Sequence, residues 1–111
     1  MDDCVFCNII NKTIDSKLLY EDGEIVVIQD ILPKAPVHLL IVPKEHIPSV
    51  SKLLPRHEPL SGKMVYVGKD MAEKNGIAES GYKLIFNVGR DGGQVVKHIH
   101  LHLLGGKQLP E

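Results

Sequence analysis

Three histidines alternate with apolar residues near the C-terminus, in the run His98-Ile99-His100-Leu101-His102-Leu103-Leu104. Successive side chains of a strand point to opposite faces, so a strand here sets all three imidazoles in one row, about 7 Å apart. Ile99, Leu101 and Leu103 then face a core. A helix would scatter the same rings around its surface. The run therefore calls for a sheet with one apolar face and one chemical face. Half of the chain's six histidines lie in it. Three readings are open for the row: a half-exposed strand that happens to carry histidines, a metal site, or a nucleophile flanked by rings that orient it and protonate a leaving group.

The rest of the chain supplies elements to pair with that strand. Apolar Phe6, Ile9 and Ile10 predict a short helix over 4–11, with Cys4 and Cys7 on one face. Strands are expected at 17–21 and 25–29, joined by the hairpin signal Asp22-Gly23. Pro33 and Pro36 mark a loop before a strand at 37–42, which Pro43 closes. Residues 49–58 are weakly determined, and Pro55 interrupts them. Leu60, Met64, Val67 and Met71 form the stripe of a longer helix over 59–75, with Asn75-Gly76 as its stop. A strand is expected at 82–88, a glycine-rich turn at 89–93, and the histidine strand at about 95–104. This order predicts an α+β fold with a mainly antiparallel sheet, in one domain spanning 1–111.

Size and composition agree with that reading. A chain of 111 residues buries roughly two-thirds of its unfolded surface. With 43% hydrophobic and 24% charged residues and a formal net charge of −1, it has no basic excess that points to nucleic acid. No apolar run approaches the ~20 residues of a membrane span. The start, Met1-Asp2-Asp3-Cys4, is acidic where a secretory signal would be basic, so a cytoplasmic location is expected. The two cysteines, Cys4 and Cys7, form a CxxC pair. In a reducing compartment such a pair reads as metal ligands or a redox couple.

The neighbourhood of the row narrows its chemistry. Just before it lies Asn87-Val88-Gly89-Arg90-Asp91-Gly92-Gly93-Gln94. Three glycines let backbone N–H groups approach an anion, and Asn87 and Gln94 add neutral amide donors. Neutral donors beside histidines suit a phosphoryl centre. The bland alternative is a simple strand connection.

With these residues in view, the sequence closely resembles the histidine triad superfamily, whose signature is His-φ-His-φ-His-φ-φ with φ apolar. Residues 98–104 match it throughout. The match is nearest to the purine nucleoside phosphoramidase branch. It extends through Phe6 with Ile9 and Ile10, Asp30-Ile31, Ala35-Pro36-Val37-His38, Val42-Pro43-Lys44-Glu45-His46-Ile47, Gly81-Tyr82, Asn87, Asp91-Gly92-Gly93-Gln94 and Gly105-Gly106. The resemblance implies a five-stranded, mainly antiparallel sheet with two helices, the sheet continuing across a homodimer. It implies a hydrolase of P–N bonds in purine nucleoside phosphoramidates, and of related adducts such as aminoacyl adenylates. His100 matches the nucleophile, which becomes nucleotidylated before water releases the nucleoside monophosphate. His102 matches the phosphate-contacting histidine and candidate proton donor, and His38 a fourth member of the cluster. Asn87 and Gln94 match positions that orient phosphate and nucleophile. Asp30 matches the carboxylate on the ribose hydroxyls. Val5, Phe6, Ile9, Ile28 and Ile31 match the slot around the base; without the family they would read simply as core.

Zinc enters with the same resemblance. Cys4, Cys7, His46 and His98 make a Cys₂His₂ set of four protein ligands, and such closed sites are structural. Buried thiols and a redox pair are the alternatives. His57 is expected to be exposed and inert. Two departures from the branch stand out. Val95 occupies a position where relatives often carry serine, and the chain has no tryptophan-bearing segment after Gly105-Gly106. Other functions to weigh are a metallohydrolase, a diadenosine polyphosphate hydrolase, and a nucleotide-binding or sensor module without turnover.

Overall fold

A computed structural model describes residues 4–111. The acidic start discussed above, residues 1–3, lies outside the described residues. The elements run α1 (Val5–Ile10), β1 (Tyr20–Glu21), β2 (Ile25–Gln29), β3 (Val37–Pro43), α2 (Glu58–Lys74), β4 (Tyr82–Ile85) and β5 (Leu101–Gly105). Two 3-10 turns, Val50–Lys52 and Pro55–His57, fill the stretch before α2. The strands form one antiparallel sheet in the order β1-β2-β3-β5-β4.

Alternation sorts the sheet into two faces. Ile25, Val27, Leu39, Ile41, Leu101 and Leu103 pack against Met64, Val67, Met71 and Ala72 of α2. Val26, Ile28, Leu40 and Val42 point the other way and pack on Cys4, Phe6, Cys7 and Ile9. His38 and His102 have the parity of this second face. A helix of six residues is too short to hold its shape alone. It stays because Cys4 caps it, accepting the Cys7 N–H, and because Phe6, Cys7 and Ile9 are buried on the sheet. At the far end of α2, Asn75 Nδ2 donates to the Met71 carbonyl and Gly76 turns left-handed at φ +73°. That is the expected glycine stop.

Three strand expectations shorten. The 17–21 strand keeps only Tyr20 and Glu21 in the ladder. The 82–88 strand ends at Ile85, where β5 ceases to run alongside it. The histidine strand begins at Leu101, not near 95. Residues 98–100 are held by a loop contact instead: the Ile99 N–H donates to the Ile47 carbonyl at 2.6 Å. The alternation survives this change, because Ile99 is 2% exposed while His98 and His100 turn toward α1.

Candidate functional site

Phe6 of α1 stands edge-on to two of the three histidines. Its ring centroid is 5.7 Å from that of His98 and 5.0 Å from that of His100. His100 in turn lies 4.9 Å from His102. The row therefore exists, but its members face different partners.

His98 faces the cysteines. Its Nε2–H donates to the Pro43 carbonyl at 2.8 Å, which leaves a lone pair on Nδ1. That nitrogen lies 3.4 Å from Cys4 Sγ, 3.6 Å from Cys7 Sγ and 3.1 Å from His46 Nδ1. Cys7 Sγ to His46 Nδ1 is 3.3 Å. A tetrahedron built on Zn–S and Zn–N bonds has edges of about 3.3 to 3.8 Å. The four donor atoms all lie within 4.8 Å of one another, and neither cysteine forms a disulfide. This donor set can hold a metal ion. Burial pulls the His98 ring down to about 4, so near neutral pH it presents the deprotonated nitrogen that a ligand requires.

His100 has the opposite tautomer. Its Nδ1–H donates to the His98 carbonyl at 2.7 Å, so the lone pair sits on Nε2. Burial lowers its pKa, which keeps that lone pair free of a proton near pH 7.

His102 belongs to a relay. The Lys34 backbone N–H donates to His38 Nδ1 at 3.1 Å, so a neutral His38 carries its proton on Nε2. This Nε2–H faces His102 Nδ1 at 2.9 Å and Asp30 Oδ2 at 3.4 Å. His102 Nδ1 therefore accepts, and its own proton sits on Nε2. There it faces the Asn87 side-chain amide at 3.4 Å, which can rotate to offer oxygen or nitrogen. Burial lowers His38 and, aided by the neighbouring His100 and His38 rings, pulls His102 to about 4. Asp30 Oδ1 accepts the Leu32 N–H, which fixes the carboxylate at the edge of the cluster.

The structure brings His38, His100, His102, Asp30 and Asn87 together. The Gln94 side chain is held by the loop framework. Its Oε1 accepts from Ser49 Oγ at 2.7 Å and from the Gly89 N–H at 3.0 Å. Its Nε2 donates to the Pro48 and Val96 carbonyls at 2.7 and 3.0 Å. Every donor and acceptor of this amide is engaged within the loop framework. The loop itself is tight: a Cβ on Gly92 would stand 2.3 Å from the Val88 carbonyl oxygen. The expected base slot is divided. Phe6, Ile9 and Ile28 are buried in the core on the α1 face, whereas Val5 is 41% and Ile31 91% exposed.

His57 corrects an expectation. It is 4% exposed, because the Pro55 turn folds its ring inward. The Leu54 N–H donates to its Nδ1, and Glu45 lies 2.9 Å from its Nε2. Arg56, and after it His57, hold the Glu45 carboxyl down to about 2. Ser49, between a proline and a 3-10 turn, carries no sequence signal of its partner Gln94.

Sheet and cluster together define an α+β domain with a histidine centre on one face and a Cys₂His₂ set at its edge. Residues 3–109 match the family described as "Scavenger mRNA decapping enzyme C-term binding". The purine nucleoside phosphoramidase of Escherichia coli K12 is 45% identical over 108 residues, 97% of this chain and 91% of that protein. A HIT family hydrolase from Legionella pneumophila superposes with a TM-score of 0.95 at 42% identity, covering 97% of this chain and 96% of its own. A zinc-bound histidine triad family protein from Mycobacterium smegmatis superposes with a TM-score of 0.82 at 30% identity, covering 96% and 76%. The chain belongs to the histidine triad family.

Proposed function

We propose that this protein hydrolyses the P–N bond of purine nucleoside phosphoramidates through a nucleotidyl intermediate on His100 Nε2. One observation carries the reading: the His98 carbonyl accepts a hydrogen bond from the Nδ1–H of His100, so the buried neutral ring keeps a bare Nε2. In the first step this lone pair forms a bond to the α-phosphorus as the bond to the amine nitrogen breaks. His102 hands its Nε2 proton to the departing amine while its Nδ1 keeps the hydrogen bond from His38, and the charge left on the ring is offset by the positive charge gained by the phosphorylated His100 ring beside it. In the second step water attacks phosphorus, its proton returns to His102, and the N–P bond to His100 breaks. The products are an amine and a nucleoside monophosphate. Asp30 holds the ribose hydroxyls, Asn87 a phosphate oxygen, and the apolar surface around Val5 and Ile31 the base. Gln94 acts through the loop it braces. The relatedness to an E. coli purine nucleoside phosphoramidase supports this substrate class.

Cys4, Cys7, His46 and His98 hold zinc in this reading, as a structural tether between α1 and the approach to β5. A Cys₂His₂ set is closed, so the ion supplies stability and not a site for substrate. A thiolate site of this kind suits a reducing compartment such as the cytoplasm. Asp30, His38 and His102 are also close enough to share an ion. However, the Lys34 N–H on His38 Nδ1 keeps the proton on Nε2, where a metal would need a lone pair. This favours the covalent reading over a metallohydrolase. A homodimer formed along β4 would pair one of the two edges of the sheet.

The test is turnover of adenosine and guanosine phosphoramidates by His100→Ala. Activity should fall on the order of a thousand-fold or more, with adenosine monophosphate binding retained. Near-normal turnover in that variant would end the covalent argument.

A further inference from the structure

The segment that follows β3 carries more than a metal ligand. His46 faces the cysteine cluster. The next residue, Ile47, holds the histidine run by accepting the Ile99 N–H. Pro48 and Ser49 then hold Gln94, one through its carbonyl and the other through its hydroxyl. Four consecutive residues thus join the metal set, the nucleophile's segment and the glycine loop.

Ser49 is 9% exposed, and its hydroxyl donates to Gln94 Oε1 at 2.7 Å. The same oxygen accepts the Gly89 N–H at 3.0 Å. Gly89 opens the loop in a left-handed conformation, φ +71°, and its carbonyl accepts the Gln94 N–H at 3.0 Å. Gln94 Oε1 is therefore the atom that pins the first residue of the loop to the framework. A glutamine side chain has three rotatable bonds, so its carbonyl stays at that point only if other groups hold it. The Gln94 amide nitrogen is anchored on Pro48 and Val96, and Ser49 is the side chain that anchors the oxygen.

We propose that Ser49 is a positioning residue for the glycine loop. It keeps Gln94 in the rotamer that captures Gly89, and so sets where Asn87, two residues upstream, stands beside His102. The proposal rests on the reading of this loop as the phosphate-side wall. Phosphate contacts from a correctly placed loop act on bound substrate and transition state alike, so their loss raises KM while sparing kcat.

The experiment uses the intact metal-loaded protein, with adenosine monophosphate as the probe. Ser49→Ala should weaken its binding about five-fold, the effect of losing one neutral hydrogen bond, and raise KM by a similar factor with kcat within two-fold. Gln94→Leu should do at least as much, and adding Ser49→Ala to it should change nothing further. Ser49→Thr, which keeps the hydroxyl, should bind like the parent. Amide exchange at Gly89 should quicken in Ser49→Ala while Leu103 in β5 keeps its protection. Unchanged nucleotide binding in Ser49→Ala would overturn the proposal. So would additive effects of the two substitutions, or exchange that quickens equally at Gly89 and Leu103, which marks general loosening. Failure of the hydrolase reading shows separately, as turnover surviving in His100→Ala; the binding cycle and the Gly89 exchange still judge Ser49.

Discussion

The relay from Lys34 through His38 to His102 predicts that replacing His38 harms catalysis in proportion to how badly the leaving group needs a proton. His38 is 3% exposed, and its Nε2 lies 2.9 Å from His102 Nδ1. His38→Leu deletes that donor and leaves His102 Nδ1 unpartnered in a buried setting. Such a loss costs about 1 to 2 kcal/mol, a factor of roughly 5 to 30 in the population of the productive tautomer. The wrong tautomer has its Nε2 bare and cannot protonate the amine. The assay is kcat/KM over adenosine phosphoramidates of amines of graded basicity, with an aryl ester of adenosine monophosphate as the substrate that leaves without a proton. His38→Leu should lose the full factor on basic amines and little on the aryl ester. His38→Gln places an amide donor near the lost Nε2–H and should recover much of the loss. His102→Ala should lose more on the amines, about 10²- to 10⁴-fold, as expected for removal of a general acid. A uniform loss across all leaving groups would refute the tautomer argument, because it would show His38 acting on nucleophile or binding instead.

Acid should destabilise the protein well before its carboxylates titrate. Burial lowers His38 and His100, and holds His102 at about 4, whereas the unfolded chain titrates near 6.5. Between those values the unfolded state binds more protons. Stability is therefore complete above about pH 6.5 and falls as pH drops toward 4. His102 alone accounts for on the order of 2 kcal/mol once solvent screening is allowed for. Urea unfolding at pH 7 and pH 5 measures the slope, which His102→Asn should reduce; equal stability at the two values would contradict the burial argument. Chelation should act mainly on stability. Zinc-thiolate sites are worth roughly 10–16 kcal/mol of apparent binding, so the melting temperature should fall steeply. The chemical step, followed in protein that is still folded, should change far less. An immediate, zinc-reversible loss of all turnover in folded protein would point to a metallohydrolase.

Much of the architecture was legible because it depends on local periodicity. Strand β2 and helix α2 stand within a residue of expectation, and the alternating run does present Ile99, Leu101 and Leu103 to the core. Periodicity could not show where pairing stops. The alternation continues through His98 and His100 although those residues leave the ladder, because Ile47 replaces a neighbouring strand as partner to Ile99. Side-chain partners distant in sequence were equally hidden. His57 reads as a surface residue until Glu45 and the Leu54 N–H are seen to cover both ring nitrogens. Gln94 reads as a free donor until Ser49 and Pro48 are found bound to it. The grouping of His38 with His102 came from the family resemblance; residue spacing gives no hint of it, since 64 positions separate them.

The tautomer of His100 is selected by a peptide carbonyl, not by another side chain. A carbonyl is present at position 98 whatever amino acid the gene encodes there. On the proposed reading, metal binding by the His98 ring and orientation of His100 by the His98 carbonyl are separable, although one residue serves both. Replacing His98 and both cysteines should remove the Cys₂His₂ set without moving the proton of His100. The protein scaffold is free to change how it is stapled while its chemistry stays the same.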